Sequence, residues 1–180
     1  SLATTVANAE RKITKKVPEN SCSLYISIPF CPTRCAYCSF VSYTTPRLLS
    51  MIDEYLDALI VDLEETFATI EKLGMGISTI YIGGGTPTTL SAEQLDILLG
   101  VVSKHVDTST LAEFTLEAGR PDTITADKLA VAKKYGVTRV SVNPQTLNDD
   151  ILRDIGRRHT TEDFYKAFEI AKNSGIRDIN

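Results

Sequence analysis

Three of the four cysteines in this 180-residue chain lie within eight residues of one another, at the spacing CxxxCxxC. They are Cys31, Cys35 and Cys38. Iron–sulfur clusters are held by cysteine thiolates, and a [4Fe–4S] cluster normally has four of them. A loop that supplies three therefore leaves one iron without a protein ligand and open to a small molecule. We expect this open iron to be the catalytic position of the protein.

A structural zinc site and a disulfide are the alternatives to a cluster. Zinc needs four ligands in a closed tetrahedron, and His105 and His159 are far from the loop in sequence. Disulfides fit a secreted scaffold better than a tight, odd group of cysteines in a chain without an apolar targeting segment. The fourth cysteine, Cys22, precedes an apolar strand pattern. We interpret it as a small buried apolar residue, not as a ligand.

Composition excludes some classes of partner. The net charge of −4 provides no basic field that would attract nucleic acid or an anionic membrane. No run of apolar residues is long enough to span a bilayer. We therefore expect a cytoplasmic protein with no nucleic-acid partner and no membrane partner. With 43% hydrophobic residues, the chain can bury one core, as a single domain or as part of a larger one, and we favour the second.

Strand and helix patterns alternate after a polar lead-in at residues 1–21, for which we expect exposure and no chemistry. Runs of β-branched and aromatic residues predict strands, and apolar residues three and four apart predict helices. The predicted strands are 24–28, 78–82, 111–118, 137–142 and 176–180. The predicted helices are 47–73, one capped at Ser91, 125–135, a short piece after 145, and one from Thr160 to Gly175.

This alternation predicts the α/β class, with parallel strands joined by right-handed helical crossovers. Four βα units and a starting strand fit a partial parallel (βα) barrel that is truncated after about four units. Residues 22–180 would then be the N-terminal portion of a larger barrel domain and inactive alone. A doubly wound sheet is the alternative. In barrels the sites lie at the C-terminal ends of the strands, which is where the cysteines follow strand one.

Candidate binding residues also follow the later strands. Gly84 and Gly85 lack Cβ atoms, so their backbone could approach an amino-acid ligand, although an ordinary tight turn has the same composition. Glu117 ends strand three and could accept hydrogen bonds from an ammonium group or a ribose hydroxyl, or else pair with a lysine or arginine. Arg157 and Arg158 could bind carboxylates or remain solvated at a helix end.

Five motifs in order resemble the oxygen-independent coproporphyrinogen III oxidase family of the radical S-adenosylmethionine (SAM) superfamily. The match runs from about Leu24 to the C-terminus and is most similar to the branch called coproporphyrinogen dehydrogenase. The motifs are Tyr25-Ile-Ser-Ile-Pro-Phe-Cys31, Cys-Ala-Tyr-Cys38-Ser-Phe40, Gly-Gly-Gly-Thr-Pro-Thr88, Leu-Glu117-Ala-Gly-Arg-Pro-Asp122, and Asn-Pro-Gln145-Thr-Leu-Asn148 through Gly-Arg157-Arg-His-Thr160.

The resemblance implies a radical SAM barrel in which Cys31, Cys35 and Cys38 hold the [4Fe–4S] cluster. It also implies a set of residues that contact SAM. These are Tyr25, Tyr37, Gly84, Gly85, Thr86, Glu117, Gln145 and Arg157.

The same resemblance implies an enzyme of haem biosynthesis. The reduced cluster would donate an electron to SAM, and the resulting 5′-deoxyadenosyl radical would take hydrogen from the propionate side chains of coproporphyrinogen III. Those side chains would lose carbon dioxide to become vinyls, giving protoporphyrinogen IX. The implied partners are this porphyrinogen and an electron-donor protein.

Two positions keep a second function open. The well-studied oxidases carry a further cysteine where this chain has Phe40, and often a histidine where it has Ser27. A sister branch with the same cysteine loop is regarded as a haem-binding chaperone. The resemblance therefore leaves a decarboxylase and a haem chaperone as alternatives, because a shared fold does not determine function.

Overall fold

A computed structural model describes residues 2–14 and 18–180 of the chain. Seven α-helices and five strands are formed within these residues. The helices are α1 (Leu2–Thr14), α2 (Pro46–Leu49), α3 (Ile52–Lys72), α4 (Ala92–His105), α5 (Ala126–Lys134), α6 (Asp149–Asp154) and α7 (Thr161–Asn173). The strands are β1 (Ser21–Ile28), β2 (Gly76–Gly84), β3 (Glu113–Glu117), β4 (Arg139–Ser141) and β5 (Asp178–Ile179).

The five strands form one open sheet in the order β1-β2-β3-β4-β5, and every neighbouring pair is parallel. Sequential order with helical crossovers is the arrangement of a (βα) barrel that has not closed. A doubly wound sheet reverses its strand order at a switch point, and the described strands show no reversal. The α/β class and the partial barrel are therefore confirmed, and the doubly wound alternative is wrong.

Side-chain alternation along the strands gives the sheet two different faces. Ile26, Ile80 and Phe114 point toward the helices and are almost completely buried in the core. On the opposite face Tyr25 and Tyr81 stack with their ring centroids 5.7 Å apart, and Tyr25 is largely exposed. Successive side chains of a strand point to opposite faces. The helices therefore cover one face, and the other is the inner surface of the partial barrel.

Two capping boxes that the sequence predicted are present. At the start of α4 the Ser91 hydroxyl accepts the Gln94 amide at 3.2 Å, and the Gln94 side chain accepts the Ser91 amide at 2.8 Å. Thr160 and Asp163 form the same reciprocal pair at the start of α7. A helix cap of this kind stabilises a helix by about 1 kcal/mol. Both helices consequently begin where the sequence predicted.

The structure differs from the prediction in two segments. The predicted helix 47–73 is two helices, because α2 ends at a turn where the Ser50 hydroxyl donates to the Arg47 carbonyl and α3 begins only at Ile52. The lead-in contains α1, and its residues 3–9 are exposed as expected. Alanine, glutamate, arginine and lysine are good helix formers and make up six of the 13 residues of α1, which the prediction overlooked. Residues 1 and 15–17 of the lead-in lie outside the described residues.

Strand boundaries differ by one to three residues. β3 and β4 each start two residues later than predicted. Leu111 and Val137 are buried, but they lie just before the strands begin. Among the described residues, no helix combines the length and apolar character that a bilayer crossing requires.

Candidate cluster and cofactor site

The cysteine loop follows β1 at the C-terminal edge of the sheet. Pro29 ends the strand, and the Cys31 amide donates to the Tyr43 carbonyl at 3.0 Å while the Tyr43 amide donates to the Pro29 carbonyl at 2.8 Å. These two bonds join the start of the loop to its end. Phe30 packs against the ring of Tyr55 at 5.2 Å, on the core side of the loop. The loop is therefore fixed at its base.

All three cysteines border one cavity of about 170 Å³. Cys31 and Cys35 are buried, Cys38 is half-buried, and all three are free thiols. Within the part of the chain that the structure describes, no three His, Cys, Asp or Glu side chains gather around a position for a single metal ion. In a [4Fe–4S] cluster each thiolate binds a different iron, so three cysteines around one cavity, with no shared position for a single ion, fit a cluster.

Residues from the fourth βα unit fasten the middle of the cysteine loop. The Thr33 hydroxyl donates to the Gly156 carbonyl at 2.8 Å, and the Ala36 amide donates to the Ile155 carbonyl at 3.0 Å. Gly156 has φ +79°, and a Cβ there would be 2.7 Å from the Arg34 carbonyl oxygen. Only glycine tolerates both conditions. The turn after α6 thus holds the middle of the cysteine loop in place through these two hydrogen bonds.

The glycine loop after β2 lies against the first cysteine. A Cβ on Gly85 would be 2.8 Å from the Phe30 carbonyl oxygen and 3.0 Å from the Cys31 sulfur. Next to it, the buried Thr86 hydroxyl is 3.2 Å from the same sulfur. Bare backbone at Gly84 and Gly85 therefore borders the cavity beside a cysteine, where a small zwitterion could reach it.

Glu117, at the end of β3, borders the same cavity. Burial raises the pKa of its carboxyl group, and a hydrogen bond from the Gly84 backbone amide opposes that rise. Glu117 takes part in none of the ion pairs among the described residues, so the alternative of a lysine or arginine partner is not observed. A half-buried carboxylate without a cation can accept an ammonium group of a ligand.

Gln145, Tyr37 and Arg157 form a hydrogen-bonded chain at the border of the cavity. The Tyr37 hydroxyl donates to Gln145 Oε1 at 2.8 Å and accepts from Arg157 at 3.0 Å. Arg157 also donates to the Gly119 carbonyl at 3.0 Å, while its buried Nε has no partner among the described residues. Gln145 has φ +64°, the only positive φ of a non-glycine residue in the described chain. Such strain is concentrated at functional sites.

Tyr25 borders an adjoining, more open cavity on the inner face of the sheet. This cavity shares Phe40, Gly84 and Glu117 with the first. Burial, and then the charge of Glu117, raises the pKa of the Tyr25 hydroxyl, which keeps it a neutral donor at pH 7. The structure therefore brings every predicted cluster and SAM residue to the border of two cavities that share lining residues. Their individual roles remain predictions.

Other residues that the sequence singled out lie elsewhere. Arg158 is exposed and does not border the cavity. His105 is paired with Glu64 at 2.7 Å, away from the cysteines. His159 is buried near Pro144, whose carbonyl is 3.3 Å from its Nε2. Cys22 is half-buried at the N-terminal end of β1, so its interpretation as a core residue is wrong, while its position keeps it far from the loop.

Sequence reasoning assigned no role to Thr33, Arg120 or Asn143, which also border the cavity. Arg120 is the most informative of these, because it is 3% exposed and donates to the Cys35 sulfur at 3.0 Å. Its position three residues beyond Glu117, past the C-terminal end of a strand, was the available signal.

Comparison with known proteins gives a consistent result. The family model described as the radical SAM superfamily matches residues 25–180. The chain is 40% identical over 159 residues to the oxygen-independent coproporphyrinogen-III oxidase-like protein HemZ of Bacillus subtilis, covering 88% of this chain and 32% of HemZ. It is 43% identical over 160 residues to the heme chaperone HemW of the same organism, covering 88% of this chain and 41% of HemW.

Among solved structures, coproporphyrinogen III oxidase (HemN) from Escherichia coli, described as a radical SAM enzyme, matches with a TM-score of 0.75 and 28% identity. The match covers 96% of this chain and 39% of HemN. The chain thus spans about a third to two fifths of the length of these relatives.

Proposed function

Because the chain belongs to the radical SAM superfamily, whose members use a [4Fe–4S] cluster and SAM, we propose that Cys31, Cys35 and Cys38 hold that cluster. The residues present fit both groups. Three free thiols border one cavity, the backbone at Gly85 is bare, and Glu117 supplies an unpaired carboxylate. The placement of three separate thiols beside this bare backbone is the observation that carries the proposal.

When bound, the cluster and SAM supply a carbon-centred radical that removes a hydrogen atom from a substrate. The residues of this chain bind and orient these groups. The three thiolates hold the cluster, and the Gly84 and Gly85 backbone with Glu117 accepts the amino-acid part of SAM. Arg157, held by Tyr37 and the Gly119 carbonyl, presents a positive charge for a carboxylate.

We propose that the protein acts on a porphyrinogen, by oxidative decarboxylation of coproporphyrinogen III to protoporphyrinogen IX. Support comes from the names of HemZ and HemN and from the apolar inner surface next to the site. On that surface the side chains of Phe40 and Val41 are both 64% exposed, beside the stacked Tyr25 and Tyr81. A flat tetrapyrrole is a ligand for such a surface.

The second candidate is a haem chaperone that keeps the cluster and SAM without decarboxylating a porphyrinogen. The similarity to HemW favours it, and so does Phe40, an apolar side chain where the well-studied oxidases carry a cysteine. The same exposed surface would then contact haem.

A turnover assay under anaerobic conditions distinguishes the decarboxylase from the haem chaperone. The full-length protein, reduced and incubated with SAM and coproporphyrinogen III, should release 5′-deoxyadenosine and protoporphyrinogen IX, detected by mass spectrometry, and its Cys35→Ala variant should release neither. Release of 5′-deoxyadenosine without the decarboxylated product would refute the substrate and retain the superfamily. Tight haem binding, measured by absorbance titration, together with no turnover would support the chaperone.

We also propose an electron-donor protein as a partner, because reduction of the cluster needs an electron from outside the chain. A cytoplasmic location is part of the same proposal, since that compartment keeps thiols reduced.

A further inference from the structure

The guanidinium group of Arg120 is buried in direct contact with the cysteine loop. Arg120 is 3% exposed and follows β3, where its carbonyl accepts both the amide and the hydroxyl of Thr123 at 3.0 and 2.9 Å. These bonds fix the backbone from which the side chain extends. The guanidinium then reaches across to the loop that follows β1.

Each end of the guanidinium has a partner on that loop. One nitrogen donates to the Thr33 hydroxyl at 2.8 Å. The other donates to the Thr33 carbonyl and to the Cys35 sulfur, the latter at 3.0 Å. The planar fork of an arginine can hold two such points together, which a lysine cannot do. Arg120 therefore fixes the Cys35 sulfur relative to the loop backbone.

Among the described residues, no carboxylate pairs with the charge of Arg120. None of the ion pairs among the described residues includes Arg120, although it is almost fully buried. A buried cation is normally paired with an anion, because leaving it unpaired is strongly unfavourable. The Cys35 sulfur, as a thiolate bound to iron, would be that anion.

We infer that Arg120 is a positioning residue for the cluster, which holds Cys35 in place and raises the reduction potential of the bound cluster through its N–H···S contact. Hydrogen bonds to cluster sulfurs and nearby charge set the potentials of iron–sulfur clusters. Reduction adds one negative charge, and a buried cation stabilises the reduced form more than the oxidised form. The inference rests on the proposed function in that it takes Cys35 as a cluster ligand.

The test is a redox titration of the anaerobically reconstituted protein without SAM, monitored by electron paramagnetic resonance of the reduced cluster. Arg120→Gln should lower the ratio of reduced to oxidised cluster at a fixed potential at least tenfold, which is about 59 mV for a one-electron couple. Arg120→Lys, which keeps the charge without the fork, should fall between Gln and wild type. Arg153→Gln is the matched control, because Arg153 is exposed on α6.

Iron content and thermal unfolding, measured on the same samples, settle the other outcomes. An unchanged potential in Arg120→Gln with full iron content would overturn the inference and leave the cluster assignment intact. Loss of iron with an unchanged unfolding temperature would support the positioning role. Loss of iron together with a lowered unfolding temperature in both Arg120→Gln and Arg120→Lys would overturn the inference, since Arg120 would then act on folding. A wild-type protein that takes up no iron would refute the cluster assignment as well.

Discussion

Gly85 lies so close to Cys31 that a single methyl group on it would be 3.0 Å from the cysteine sulfur and 2.8 Å from the Phe30 carbonyl oxygen. Carbon atoms do not approach backbone oxygen at such a distance without movement of one of the two segments. The glycine loop and the cysteine loop are therefore one packed unit, and a change in one displaces the other.

A Gly85→Ala substitution should consequently impair the site. We expect about 1–3 kcal/mol of destabilisation from overpacking, and loss of SAM binding measured by calorimetry on the reconstituted protein. Gly76→Ala is the matched control, because Gly76 lies at the opposite end of β2, where the nearest atom to an added Cβ is 3.9 Å away. Wild-type SAM affinity in Gly85→Ala would show that the two loops move independently.

An iron assay should distinguish the three loop cysteines from Cys22. Replacement of Cys31, Cys35 or Cys38 by Ala should abolish the brown chromophore after anaerobic reconstitution, since one of only three thiolates is removed. Cys22→Ala should leave the iron content unchanged, because Cys22 lies at the other end of β1. Iron loss in Cys22→Ala would contradict its exclusion as a ligand.

Glu117→Gln should change how stability depends on pH. Burial raises the pKa of the Glu117 carboxyl in the folded chain above that in the unfolded chain, so folding favours the protonated form. The carboxyl group therefore contributes stability below its unfolded pKa, and this is lost as pH rises through the raised folded pKa.

A neutral glutamine keeps the acceptor for the Gly84 amide without the buried charge. In the protein without cofactors, Glu117→Gln should thus raise the melting temperature slightly at pH 7 and leave it unchanged at about pH 4, near the unperturbed pKa of a glutamate. After reconstitution the same variant should bind SAM more weakly. If the melting temperature of Glu117→Gln fell at pH 7, interactions with the ionised carboxylate would outweigh the cost of burying its charge.

Gln145→Gly should increase the free energy of unfolding and decrease SAM affinity. Relief of the positive φ of +64° should outweigh the added chain entropy and stabilise the protein by about 1 kcal/mol in chemical unfolding. The bond from the Tyr37 hydroxyl would be lost, and SAM affinity should fall. Leu147→Gly, at an exposed position without a positive φ, should only destabilise. Unchanged SAM affinity in Gln145→Gly would remove Gln145 from the predicted site.

Much of the site could be predicted because it depends on local sequence. Cys31, Gly85 and Glu117 each follow or end a strand, and parallel strands end at the same edge. The strands could be predicted from runs of β-branched residues, and both capping boxes could be predicted from four-residue motifs. The sequence therefore placed these side chains near one another before any contact was known.

The remaining features depend on contacts between distant segments. The position of Arg120 just past β3 places it at the correct edge of the sheet, but no local pattern indicates that its guanidinium reaches Cys35, 85 residues earlier. The glycine at position 156 is required by the Arg34 carbonyl, which belongs to the cysteine loop. The break between α2 and α3 lies at Ser50 and Met51, within a continuous apolar pattern. Such features are set by packing, and propensity does not encode them.

The hydrogen bond between Thr33 and Gly156 spans 123 residues of the chain. A ribosome adds about 5–20 residues per second, so the anchor of the cysteine loop is synthesised roughly 6–25 s after the loop itself. During that interval the three thiols have been synthesised but their final positions have not been fixed. Delivery of iron and sulfide should therefore follow synthesis of the fourth βα unit, and oxidants have their best access to these thiols while the chain is still being translated.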